Sequence, residues 1–137
     1  SKNYDFAYKQ SVSYTYPHGL WYINDTFFYV TSWGENTIYS YSNTNNNITW
    51  TEKLVLDADS FVSSRDGNHL TIDECNRYWF SLGANGIRIF DDQGLLLGNI
   101  TQITSSIFDT LITDNYETYL SNPQSNQILR INLNIQC

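Results

Sequence analysis

The chain has 137 residues, enough for one domain with a buried core, and it is acidic, with a net charge of −7 and a pI near 4.4. Phosphate binding needs a basic face, so nucleic acid is excluded as a partner and the charge reads as a solubility feature. The longest apolar runs are short, such as Leu95-Leu96-Leu97, and none approaches the roughly 18 residues of a membrane-crossing helix, so no membrane span is expected.

With 11 Tyr, 7 Phe, 4 Trp and no Met, the residues favour the half-buried surface of strands, and Asn, Ser and Thr between them suit turns. An all-β fold is expected. Residues 1–16 form an N-terminal segment with one strand, in which Phe6, Tyr8, Gln10, Val12 and Tyr14 are the candidate pairing residues. Residues 17–56 make a first unit with strands at 19–23, 27–33, 37–41 and 48–56, and an Asn-rich loop at 42–47. Residues 57–101 make a second, with strands at 69–72, 77–82, 86–90 and 95–101; Asp91-Asp92-Gln93-Gly94 is a hairpin turn rather than a calcium loop, which would need further oxygen ligands. Residues 102–137 make a third, with strands at 110–113, 117–121 and 127–133 only.

The three units share a phase. Asn36, Asn85 and Asn126 are each followed by x-Ile, and Tyr29, Tyr78 and Tyr119 each lie seven residues earlier. Polar pairs precede these again: Asn24-Asp25, Asp73-Glu74 and Asp114-Asn115. The Asn-to-Asn steps are 49 and 41 residues, a period typical of propeller blades. Runs such as Phe27-Phe28-Tyr29-Val30, and Ile128 and Leu129 followed by Ile131, do not alternate strictly, so the sheets are expected to be covered on both faces.

The stretch Leu70-Thr71-Ile72-Asp73-Glu74-Cys75-Asn76-Arg77-Tyr78-Trp79-Phe80, followed by Asn85-Gly86-Ile87-Arg88-Ile89-Phe90 and Asp91-Asp92-Gln93-Gly94, resembles an NHL-type β-propeller blade. Pro17-His18-Gly19-Leu20 looks like the start of another. The resemblance implies three tandem four-stranded antiparallel blades. Related gluconolactonase-like propellers are enzymes that hold a divalent cation on inner strands, but no equivalent Glu and Asn set can be placed in this sequence. Three blades do not close a ring of four to eight, and the third lacks its outer strand. The N-terminal strand balances that count if it completes a last blade, in another chain, by pairing with the strand of Ile128, Leu129 and Ile131. A two-chain six-bladed ring, a head-to-tail filament, and a piece of a longer chain whose own blades fill the edges are the three outcomes.

Three sequons, at Asn24, Asn47 and Asn99, and the even cysteine count point to a secreted, glycosylated protein with a Cys75–Cys137 disulfide, two buried thiols being the alternative. Candidate chemistry is sparse. His18 and His69 read as residues leading into a first strand; Asp25, Asp73, Glu74 and Asp114 recur in phase and read as turn caps. Ser32 and Ser81 lack a nucleophile-elbow context, and Trp21, Trp33, Trp50 and Trp79 read as packing between blades. No catalytic residue, metal ligand or cofactor is assigned. The expected function is a non-enzymatic extracellular module for scaffolding or binding another protein or a glycan, self-associating through its edge strands. A two-chain, metal-dependent lactonase-like hydrolase and a fragment of a longer NHL-repeat binding protein are the alternatives.

Overall fold

The structure is a computed structural model that describes residues 11–43, 50–62, 66–101, 106–113, 115, 117–132 and 137. These residues form eleven strands: β1 Pro17–Asn24, β2 Phe27–Ser32, β3 Thr37–Ser42, β4 Thr51–Asp57, β5 Leu70–Ile72, β6 Tyr78–Ser81, β7 Ile87–Phe90, β8 Leu96–Ile100, β9 Asp109–Ile112, β10 Glu117–Asn122 and β11 Gln127–Asn132. A single 3-10 turn at Asp59–Phe61 is the helical content among them. All pairing is antiparallel between consecutive strands, giving sheets β1-β2-β3-β4, β5-β6-β7-β8 and β9-β10-β11. The first strands lie side by side, β1 by β5 and β5 by β9, so the sheets fan out from a common inner edge in the manner of propeller blades.

The recurring asparagines have a backbone reason. Asn36 and Asn126 sit in β-hairpin turns at φ +51° and +54°, the left-handed region that Asn tolerates better than other non-glycine residues. In the second sheet the left-handed residues of the corresponding turn are Gly83 and Gly86, on either side of Asn85, at φ +51° and +77°. Asn36 is also fully buried, donating to Asp59 Oδ1 (2.9 Å) and accepting from the Asp66 backbone N–H (2.7 Å), which ties the turn of one sheet to the link leading into the next.

The absence of strict alternation follows from two seams. In β6, Tyr78 and Phe80 point into a core shared with Ile38, Leu56 and Leu70, while Trp79 between them points the other way, into a core with Ile87, Ile107 and Leu120. Hydroxyl groups stitch both seams: Thr31 donates to the Asn68 carbonyl, Thr71 donates to the Thr110 carbonyl, and Ser81 Oγ meets Thr110 Oγ1 at 2.8 Å.

The third sheet corrects one expectation. β10 alternates between half-buried and buried residues, and in β11 Ile128 is 77% exposed. Leu129 and Ile131 pack toward the second sheet, but no described residues cover the far face. The outer edge of β11 is unpaired among the described residues. At the other end of the fan, residues 11–16 form no strand; Val12 and Tyr14 lie on the face of the first sheet, with Val30, Tyr41, Phe28, Tyr39 and Trp50. Phe6, Tyr8 and Gln10 lie outside the described residues.

Candidate functional site

Antiparallel pairing places the start of each first strand, the turn between its second and third strands, and the links between sheets at one end of the fan. Pro17 pairs with Ser32, so the β2–β3 turn lies beside the start of β1. A cavity of about 430 Å3 opens there, within the ~300–1,000 Å3 range of small-molecule sites. Tyr16 and His18 reach it from the approach to β1, and Trp33 from the β2–β3 turn. Asp66 and Asn68 come from the β4–β5 link, Ser106 and Phe108 from the approach to β9.

Asp66 organises this mouth. Its Oδ1 accepts from Trp33 Nε1 (3.1 Å) and Asn68 Nδ2 (3.5 Å), and its Oδ2 from the Ala84 backbone N–H (3.0 Å). The carboxylate rests on Gly83, at φ +51°, where an added Cβ would lie 1.5 Å from Oδ2. Asn68 also donates to the Ile107 carbonyl (3.3 Å), joining the second and third sheets.

Beside the mouth, His69 Nδ1 stands 2.6 Å from Asp109 Oδ1, across the starts of β5 and β9. The two side chains are in close polar contact there. Burial works to raise the Asp109 carboxyl, but the His69 contact and the Thr110 backbone N–H outweigh it, and its pKa is lowered. The other side of the imidazole meets Gly19, where an added Cβ would lie 3.0 Å from His69 Cδ2 and 2.7 Å from both the Asn68 carbonyl and Thr31 Oγ1. His18 stacks edge-on against Phe108, ring centres 5.2 Å apart.

The remaining sequence candidates have local roles or lie elsewhere. Asp73 is buried and accepts from the backbone of Cys75 and Arg77 and from the side chains of Arg77 and Trp79. Asp25 accepts from the Tyr22 hydroxyl, Glu74 is exposed beside the turn, and Asp91 caps its turn through Gln93 N and Leu95 N. Ser32 donates to the Thr15 carbonyl (2.6 Å). Asn24 lies exposed at the end of β1, Asn99 is exposed on the outer strand β8, and Asn47 and Asp114 fall outside the described residues. Cys75 and Cys137 form a disulfide with their Cα atoms 5.4 Å apart.

Sequence reasoning missed the contributions of Asp66, Asp109 and Phe108, and it placed Trp33 between blades, whereas the ring is 41% exposed at the mouth. The available signal was a break in the repeat. The first strand of the third unit is entered through Ile107-Phe108-Asp109-Thr110, with a charge where those of the first two are entered through Pro17-His18-Gly19-Leu20 and Asn68-His69-Leu70-Thr71. Among the described residues no three His, Cys, Asp or Glu side chains converge as metal ligands.

No protein-family model matches the chain, and comparison with curated proteins gives no match. Among solved structures the chain is similar to a gluconolactonase from Xanthomonas campestris, with a TM-score of 0.62 and 18% identity over 79% of this chain and 35% of that one. It is similar to a luciferin-regenerating enzyme, with a TM-score of 0.64 and 16% identity over 78% of this chain and 37% of the other. It is also similar to the computationally designed Ika4 protein, with a TM-score of 0.54 and 9% identity over 94% of this chain and 98% of that one. The chain thus spans little more than a third of the two enzymes. The likeness establishes the fold: antiparallel sheets arranged as in gluconolactonase-like propellers.

Proposed function

We propose that the chain forms an arc of about three NHL-type blades in a lactonase-like propeller hydrolase, the reacting group being His69 held by Asp109. The observation that carries this reading is the 2.6 Å contact between the two side chains at the inner edge of the fan, a pair that the other seam does not repeat among the described residues. A carboxylate beside Nδ1 orients an imidazole and leaves Nε2 to take a proton from water. That water attacks an ester or lactone carbonyl, and the imidazolium returns the proton to the departing alkoxide. Two of the similar structures are a gluconolactonase and a luciferin-regenerating enzyme, which favours an enzyme over a scaffold. The rest of the ring comes from a second copy or from further chain. Both proton transfers are assigned to the imidazole.

The test is turnover of a panel of γ- and δ-lactones followed by proton release, with His69→Gln and Asp109→Asn beside the parent. A positioned general base contributes about 10²–10⁴-fold, so each variant is expected to lose at least tenfold in kcat. No turnover from a closed ring that contains this chain, or variants that match the parent, would refute the reading.

A second reading, a secreted glycoprotein that self-associates, is favoured by the apolar surface at both ends of the fan. A hollow of about 290 Å3 on the first sheet is lined by Leu20, Phe28 and Trp50, and Leu111 and Ile128 are exposed on the third. In that reading Asn24, Asn47 and Asn99 carry glycans and the N-terminal strand pairs with β11 of another copy. Its test is the solution mass with and without residues 1–13, a monomer indifferent to the truncation being the outcome that removes it.

A further inference from the structure

We propose that the mouth of the fan is a binding site for an organic cation of the alkylammonium class; this deepens the hydrolase reading by naming the charge of the ligand and rests on that reading only in that the mouth lies beside the His69–Asp109 pair. Two aromatic pairs frame the opening. Tyr16 meets Trp33 edge-on, ring centres 5.6 Å apart, and His18 meets Phe108 in the same way at 5.2 Å. The rings are not sealed into a core: Trp33 is 41% exposed and Phe108 45%. Edge-on pairing leaves a ring face open, and the negative face of an indole is the strongest aromatic partner for a cation.

The charge of the site has the matching sign. Among the described residues that line the cavity there is one carboxylate, Asp66, and no Lys or Arg. The whole chain carries −7, which draws cations and repels anions. Asp66 also fixes the cage, because its bond to Trp33 Nε1 sets the orientation of the indole.

A neutral polyol fits less well, for a reason of hydrogen-bond accounting. A sugar needs several convergent donors and acceptors that remain free. Here both Asp66 oxygens are already engaged, by Trp33, Asn68 and Ala84, and the Asn68 amide nitrogen is directed at Ile107 and Asp66. Three donors already reach the carboxylate, which leaves it little acceptor capacity for reading hydroxyl groups, whereas its charge still acts on a cation held over the rings.

The experiment uses the full chain and three probes: tetramethylammonium chloride, tert-butanol as a neutral probe of similar shape, and D-glucose. Ionic strength is held constant with NaCl. The readout is the set of tryptophan indole N–H resonances, the Trp33 signal being the one lost in Trp33→Phe. Tetramethylammonium is expected to shift that signal saturably, and the two neutral probes to leave it in place. Asp66→Asn is expected to weaken the binding at least threefold; should that variant not fold, Phe108→Leu, which breaks no hydrogen bond of the seam, is expected to weaken it at least twofold. Absence of a saturable shift, or an equal response to tert-butanol or glucose, overturns the proposal. Lactone turnover without cation binding sinks the cation site alone, and cation binding without turnover sinks the hydrolase reading alone.

Discussion

Replacing Asp73 by alanine removes the acceptor for four hydrogen bonds at once. Its Oδ1 takes the backbone N–H groups of Cys75 and Arg77, both at 3.0 Å, and its Oδ2 takes Arg77 Nε at 2.7 Å and Trp79 Nε1 at 2.8 Å. The carboxylate is buried, the Arg77 side chain is only 14% exposed and Trp79 only 1%, so water does not readily replace what is lost. Orphaning a buried donor costs ~1–3 kcal/mol and breaking a buried ion pair ~3–5 kcal/mol. These overlap rather than add, so the expected loss is about 4 kcal/mol, a large share of the ~5–15 kcal/mol that holds a domain together. At this chain length that lowers Tm by about 14 °C, using ~2.1 cal/mol/K of unfolding entropy per residue. Asp91 is the internal control. It caps a similar turn through Gln93 N and Leu95 N but takes no side-chain donor among the described residues, and Asp91→Ala is expected to cost about 1 kcal/mol. The assay is urea unfolding followed by near-ultraviolet circular dichroism, which reports the packing of Trp79. Equal midpoints for Asp73→Ala and Asp91→Ala would refute the idea that burial of the donors, not the turn itself, sets the cost.

Cys75 and Cys137 are 62 residues apart, so reducing their disulfide is expected to lower stability by about 4 kcal/mol in the chain-entropy treatment; an unchanged urea midpoint after reduction refutes it. Burial pushes the Tyr14 phenol up to about 12, with the Tyr41 hydroxyl opposing and the Glu52 charge reinforcing the shift. A phenol whose pKa is raised on folding contributes stability that is complete below pH 10 and fades as pH climbs toward 12; Tyr14→Phe is expected to flatten that part of the stability–pH curve, and an unaltered slope counts against it. An alanine Cβ at Gly67 would lie 2.6 Å from the Ser32 carbonyl oxygen and 3.0 Å from Phe80 Cζ, so Gly67→Ala is expected to cost about 1–3 kcal/mol by overpacking the first seam, measured as a shift in thermal midpoint.

Much of this architecture is local and therefore legible. The left-handed turn residues Asn36 and Asn126, the Asp91 cap and the strands around them are set by interactions between residues two to six apart, so the sequence by itself determined the strand order and the fan of antiparallel sheets. The unstrict alternation of runs such as Phe27-Phe28-Tyr29-Val30 reads as sheets covered on both sides, which the second sheet bears out through Phe80 and Trp79. The open face bearing Ile128 could not be read, because the same apolar residue suits a seam or a surface depending on what lies opposite. The candidate site belongs wholly to the tertiary structure. His69 meets Asp109 from 40 residues away, and Trp33 meets Asp66 from 33. Neither pair leaves a local trace, since side chains that converge at the ends of neighbouring sheets are brought together by the packing of Phe80 and Trp79 on either side, not by the backbone preferences of the residues themselves.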